Sequence, residues 1–298
     1  MRFRPTPRFL LLHYSARPEY ASHVNRTATD RIYAFTKFVA TLLGAVVFFA
    51  FCVLYLFPTR TKQLFAWPIA PPMTAMFIGA SYVNSVIFFA AVLAGKKWHR
   101  IWAPHVGVFV FATLLLIATF LHWDKFTHNH PVFWIWVFIY VVAPILTPIA
   151  LLRNWREDPH TSDARDAIVP LGLRVAWLIP GVIFLAAAIY AFINPAWLIP
   201  FWPWKATPLT MRVMMSFYSM LGVAVITVLR EPRWSAWRIG LIGVIVWHAL
   251  IIVAALLRQK DFLHGLFYHS WFLFEIVVLA ASAITFGLME ARTRSIAS

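Results

Sequence analysis

Of the 298 residues, 61% are hydrophobic and only 12% are charged, against about 25% charged in a soluble globular domain. Water is thereby excluded as the main solvent of the chain. The formal net charge of +15 would point to a polyanionic partner in a soluble protein, but its distribution gives it another meaning, developed below. Cys52 is the only cysteine, which excludes an internal disulfide and any multi-cysteine metal or redox motif.

In chain order, residues 1–37 form a basic amino-terminal arm containing Tyr14, Tyr20 and Tyr33 without a sustained apolar period. Such an arm is expected at the cytoplasmic membrane surface. The apolar stretch 9–12 is too short for a signal-peptide core, so the first long apolar run reads as an uncleaved anchor. Asn25-Arg26-Thr27 has the form of a glycosylation acceptor but falls on the cytoplasmic side of this reading. Eight apolar runs follow, at 38–57, 73–95, 101–121, 131–152, 171–193, 209–229, 239–257 and 267–289, each near the roughly 20 residues that cross a hydrocarbon core. Pro144, Pro148 and Pro180 fall inside runs and predict local kinks. Trp67, Trp98, Trp102, Trp123, Trp197, Trp202, Trp204, Trp234 and Trp237 cluster at run ends, as interfacial anchors do.

Counting Arg174, in the first turn of its run, with the segment before it and leaving Arg212 inside its own run, Lys and Arg divide 19 to 6 between the two sides of these spans. By the positive-inside rule both termini are cytoplasmic, and the basic excess needs no nucleic acid. The partner it implies is the lipid bilayer, with further membrane proteins or a homo-oligomer left open.

Shifted by 136 residues, segment 65–142 aligns without a gap on 201–278, with about 19 of 78 positions identical. Pro72 and Thr74 fall on Pro208 and Thr210, Tyr82 on Tyr218, Trp98 on Trp234, Gly107 on Gly243, and Phe126 with His128 on Phe262 with His264. The fold class expected is therefore an all-α integral membrane protein of eight transmembrane helices in two parallel-related four-helix repeats, 38–152 and 171–298. A linker at 153–170 joins them, and its polar part reads as a solvated loop.

Two groups of residues carry candidate chemistry. On the outer face, His122, Asp124, His128 and His130 occupy one loop, and Asp261, His264 and His269 the corresponding one. Imidazole and carboxylate together can hold a transition metal or relay protons, although the spacing matches no established zinc signature. Inside the membrane, Arg212, His248 and Glu275 stand in the second repeat where Met76, Ala112 and Ile139 stand in the first. Charge in a bilayer must find a partner, which predicts Glu275 against Arg212 or His248, as a functional cluster or as an ion pair fixing helix register. Asn84 reads as interhelical glue. His248 is the only histidine near mid-membrane, too few for a b-type haem, and nucleotide-hydrolysis, GxSxG and HExxH signatures are absent.

The stretch FAWPIAPPMT at 65–74, with this hydropathy, resembles bacterial multispan proteins without an assigned activity. The resemblance implies a bacterial cytoplasmic membrane and carries over no residue. The functional reading is a small-solute or ion transporter or pore-like component. The alternatives are a membrane-bound enzyme or cofactor-bearing redox subunit using the outer histidines, and an assembly subunit without a site. No cofactor is assigned.

Overall fold

The computed structural model describes residues 28–228, 230–263 and 265–297. The arm up to residue 27, with Tyr14, Tyr20 and the Asn25 sequence, and His264 lie outside the described residues. Among the described residues, eight helices are long and apolar enough to cross a membrane. They are α1 (Ala34–Phe51), α2 (Pro72–Ala94), α3 (Trp102–Leu121), α4 (Pro131–Asn154), α5 (Leu171–Ile193), α6 (Pro208–Val228), α7 (Trp234–Leu257) and α8 (Leu266–Ala297). Among the described residues there are three isolated backbone bridges and no strand. The chain is an all-helical polytopic membrane protein.

Local chemistry explains the starts. Pro72, Pro131 and Pro208 open α2, α4 and α6, where a missing backbone N–H costs nothing and the fixed φ suits the first turn. His130 caps α4 by accepting the Val132 N–H at Nδ1. Helices α4 and α5 run on through Pro144, Pro148 and Pro180. Helix α1 begins four residues before its apolar run, α7 begins five before, and α8 extends eight past Met289. Hydropathy marks only the part immersed in hydrocarbon, whereas backbone hydrogen bonding continues the helix through Lys37, Arg238 and Arg292 into the headgroup zone.

The packing order follows burial. Helix α1 lies on α2, α2 on α7 and α7 on α8; α5 lies on α6, α6 on α3 and α3 on α4; α2 and α6 touch at the centre. Accordingly 67% and 61% of the most apolar stretches of α2 and α6 are buried, against 22% in α5 and α8. Phe48, Phe138, Ile183 and Leu288 stand exposed on α1, α4, α5 and α8, an apolar exterior suited to lipid chains. Small residues permit the closest crossings. A Cβ on Gly79 would lie 2.7 Å from the Tyr55 backbone nitrogen. One on Gly107 would meet the Met220 carbonyl at 2.9 Å, and one on Gly243 would overlap the Asn84 side chain.

The starts of odd-numbered helices and the ends of even-numbered ones share one face, termed the near face; the other is the far face. Four of the nine tryptophans expected as anchors, Trp67, Trp98, Trp204 and Trp234, are fully buried. They stand near helix ends, as expected, but they point into protein, which position along the chain does not specify. The far-face pair forms two aromatic clusters. Trp67 packs on Phe126 and Trp136 at 5.1 and 4.9 Å, and Trp204 packs on Phe262, Trp271 and Trp202 at 5.3, 5.1 and 5.2 Å.

The segment 153–167, expected as a solvated linker, is instead bound into the near face. Arg233 donates to both oxygens of Asp158 at 2.8 and 2.6 Å and to both oxygens of Glu231 at 2.6 and 2.5 Å, and all three are buried. Asp163 pairs with Lys97 and, at 2.6 Å, with Arg100. Asp166 accepts the Ser235 backbone N–H at 2.9 Å and its hydroxyl at 2.5 Å. Asp30 accepts the His99 backbone N–H at 2.9 Å and its Nδ1 at 2.6 Å, and His99 Nε2 reaches Ser235 Oγ at 3.1 Å. The loop carries four carboxylates, Glu157, Asp158, Asp163 and Asp166. Their partners come mainly from the helix ends around it, because buried charge is tolerated only when paired.

Candidate functional site

The middle of the bundle is almost entirely apolar, so its few polar side chains define the site. Glu275, on the inward face of α8, is fully buried, and its Oε2 lies 2.5 Å from Nδ1 of the equally buried His248 on α7. The hydroxyl of Tyr218 on α6 donates to the other carboxylate oxygen, Oε1, at 3.2 Å. One helix thus supplies the carboxylate and two neighbours its partners, so the group forms only when α6, α7 and α8 are assembled. His248 Nε2 is buried and has no hydrogen-bond partner among the described residues. With Nδ1 committed to Glu275, Nε2 is the position at which this pair can gain or release a further proton.

Arg212 is not part of this group, contrary to the Arg212–Glu275 pair expected as one alternative. Its Nε and Nη2 donate to the free carbonyls of Phe192 and Ile193 at 2.9 and 3.4 Å, and its Nη1 lies 2.7 Å from His122 Nε2. Arg212 stands in the first turn and a half of α6, beside the end of α5. Carbonyls at a helix end attract a cation and satisfy the guanidinium before it can reach mid-membrane. Burial and the Arg212 charge together push the His122 imidazole below its usual pKa, so it serves as the neutral acceptor.

The other far-face residues do not gather. Asp124 pairs with Lys125 at 2.6 Å. His128 Nε2 is 2.9 Å from the Trp123 carbonyl, and His130 Nε2 is 2.7 Å from that of Gln63. Asp261 accepts the Met73 N–H at 2.8 Å, and His269 packs on the Tyr268 ring; His264 is outside the described residues. Among the described residues no three His, Cys, Asp or Glu side chains converge in a metal-holding group. Each of these side chains is instead engaged locally, fastening loops and helix ends.

Beside Tyr218 lies a partly open cavity of about 150 Å³ between α2, α3, α5, α6, α7 and α8. Its lining is overwhelmingly apolar and includes no Asp, Glu, Lys or Arg. The polar side chains on it include Asn84, Ser85 and Tyr218, and Ser85 Oγ is buried without a partner. Along α6 and α7 the lining runs from Tyr218 to Val228 and from Ala236 to Val244, so the cavity occupies the near-face half and stops at Tyr218. On the far side of the buried pair stand Trp271, Trp204 and Trp202. A second apolar cavity of about 270 Å³ lies between α1, α2 and α4 beside Tyr82, whose hydroxyl is 2.7 Å from that of Tyr140.

Sequence reasoning missed Tyr218 as the third member of the site and missed the cavity. Tyr218 did carry a signal, since it is one of the few non-aliphatic positions matched across the two halves. The near-face network carried a fainter one: Asp30 and Asp166 are also 136 residues apart, outside the gapless segment. No protein-family model, curated protein or solved structure matches this chain.

Proposed function

We propose that this membrane protein is a proton-linked transporter of small solutes that partition into the bilayer. The observation that carries the reading is the fully buried Glu275–His248 pair, joined through Tyr218 to an apolar cavity on one side and backed by a tryptophan cluster on the other. A solute chamber reached from one half of the membrane and closed from the other is what alternating access requires. An ionisable pair at mid-depth supplies the proton site. In this mechanism Glu275 fixes the His248 ring through Nδ1, His248 Nε2 takes or gives the proton, and Tyr218 senses both the carboxylate and the solute. Proton uptake changes the charge of the pair by one unit, and a low-dielectric surround makes that change large enough to bias helix packing. The segregation of the outer histidines favours transport over a metal or cofactor centre built from them.

A neutral solute that leaks through lipid carries no charge, so a current reports only coupled proton movement. Proteoliposomes on a solid-supported membrane are expected to give a transient current when small neutral ring compounds are added, and protein-free liposomes none. Silence of the protein across hydrocarbons, alcohols and phenols of this size contradicts the reading.

The same proposal includes the four-plus-four repeat and its orientation. Supporting it, His99 and Ser235, equivalent positions, touch each other, as residues on a pseudo-twofold axis do. Asp30–His99 matches Asp166–Ser235, and Arg212–His122 matches Met76–Arg258 at 3.4 Å. Gly107 against Met220 likewise matches Gly243 against Asn84. With an even number of spans per copy, the axis lies along the membrane normal, and the positive-inside rule makes the near face cytoplasmic. After Cys52 is replaced, cysteines placed at Thr127 and at its counterpart Leu263 are both expected to react with an impermeant reagent from outside the cell. Reaction from opposite sides removes the parallel repeat, and reaction of both from inside reverses the topology.

A further inference from the structure

The cavity beside Tyr218 has a composition that narrows what it can hold. We infer that it binds a neutral ring compound about the size of benzene that carries one hydroxyl, a phenol-class molecule, with the hydroxyl on Ser85 and Asn84. This rests on the transport reading only in making that molecule the cargo; binding itself is independent of flux.

Three observations set the class. The volume of about 150 Å³ matches an apolar protein cavity of about that size that stays dry and accepts benzene, so the body is a single ring. The lining carries no Asp, Glu, Lys or Arg, so an ion entering it would lose its hydration without a counter-charge. The ligand is therefore neutral. Ser85 contributes to the wall, and its Oγ is buried with no hydrogen-bond partner, a state that ordinarily costs free energy until the hydroxyl is paired. Asn84, the adjacent residue on the same wall, offers both a donor and an acceptor through its amide. A ligand hydroxyl, itself donor and acceptor, answers both, whereas a bare hydrocarbon leaves Ser85 unpaired.

Access is consistent with a molecule dissolved in lipid. Pro180 and Phe184 of α5 contribute to the wall and are themselves exposed on the outer surface of the bundle. A lipid-soluble ring compound meets that edge from the membrane.

Fluorine NMR titration of the whole protein in nanodiscs, with empty nanodiscs as the blank, tests the assignment with three probes. Fluorobenzene has the ring alone, 4-fluorophenol has ring and hydroxyl, and 4-fluorobenzoate has a charge in place of the hydroxyl. Saturable 4-fluorophenol binding is expected about tenfold tighter than that of fluorobenzene, the value of one net hydrogen bond, with no saturable binding of 4-fluorobenzoate. Ser85→Ala is expected to erase the preference while leaving fluorobenzene binding in place, which also shows that the variant is folded. Equal affinity for the two neutral probes in the wild type, a preference that survives in both Ser85→Ala and Asn84→Leu, or saturable benzoate binding would overturn the ligand class. A solute-evoked proton current that persists in any of those cases would leave transport standing with a different cargo. Phenol binding without current would instead remove transport and keep the site.

Discussion

Arg233→Ala is expected to lower the apparent melting temperature of the purified protein by about 10 °C, corresponding to the ~3–5 kcal/mol lost when one member of a buried ion pair is removed. The guanidinium holds two buried carboxylates, Asp158 from the 153–167 loop and Glu231 from the turn before α7. Burial drives the Asp158 carboxyl upward, but the hydrogen bonds and charge of Arg233 outweigh it and hold the group below its ordinary value of 3.8. For Arg233 the same contacts overcome burial and raise its affinity for the proton. The sign for Asp158 follows. Its folded-state pKa is depressed, so its contribution to stability is present above pH 3.8 and is lost as acid protonates it below that value. Thermal unfolding of Arg233→Ala at pH 7, alongside the triple replacement Arg233→Met, Asp158→Leu, Glu231→Leu, separates a broken pair from a dispensable one. The triple variant is expected to recover much of the loss. A single variant as stable as the wild type would show that the loop does not clamp the near face.

Glu275→Gln is expected to reduce the solute-evoked proton current by about tenfold or more, the range covered by a coupling free energy of 1–3 kcal/mol, with the protein still monodisperse and folded. Glutamine keeps the size of the side chain and a carbonyl acceptor for Tyr218, yet it cannot form the carboxylate that orients His248. Stability and function should therefore part company. Glu275→Leu combined with His248→Leu removes the pair altogether and is expected to melt near or above the wild type, since apolar replacement of a buried pair is often neutral or stabilising. If that double variant also transported like the wild type, the pair would be only a device that fixes helix register.

How much of this was legible beforehand varies with the kind of information needed. Hydropathy located all eight helices because each has to bury its backbone polar groups and match a hydrocarbon thickness, both local properties. Glu275 and His248 stood out for a similar reason, as polar residues in runs that otherwise avoid them. Their mutual contact depends on how α7 and α8 are rotated, which no local pattern encodes; depth permitted Arg212, nearer the membrane boundary, as a partner beside His248. Arg212 went to the end of α5 because carbonyls there were nearer. The loop at 153–167 reads as solvated because it is polar, whereas its carboxylates find partners in Lys97, Arg100, Arg233 and Ser235, distant in the chain. Four of the tryptophans stand near helix ends as predicted and point in a direction that was not.

The most direct test of the account is the solute-evoked current from wild-type and Glu275→Gln proteoliposomes, measured side by side with 4-fluorophenol at neutral pH and with equal amounts of correctly folded protein in each. The account predicts a transient proton current from the wild type and almost none from the variant, although the variant still binds the probe. A wild-type-sized current from Glu275→Gln, or none from the wild type, would contradict it.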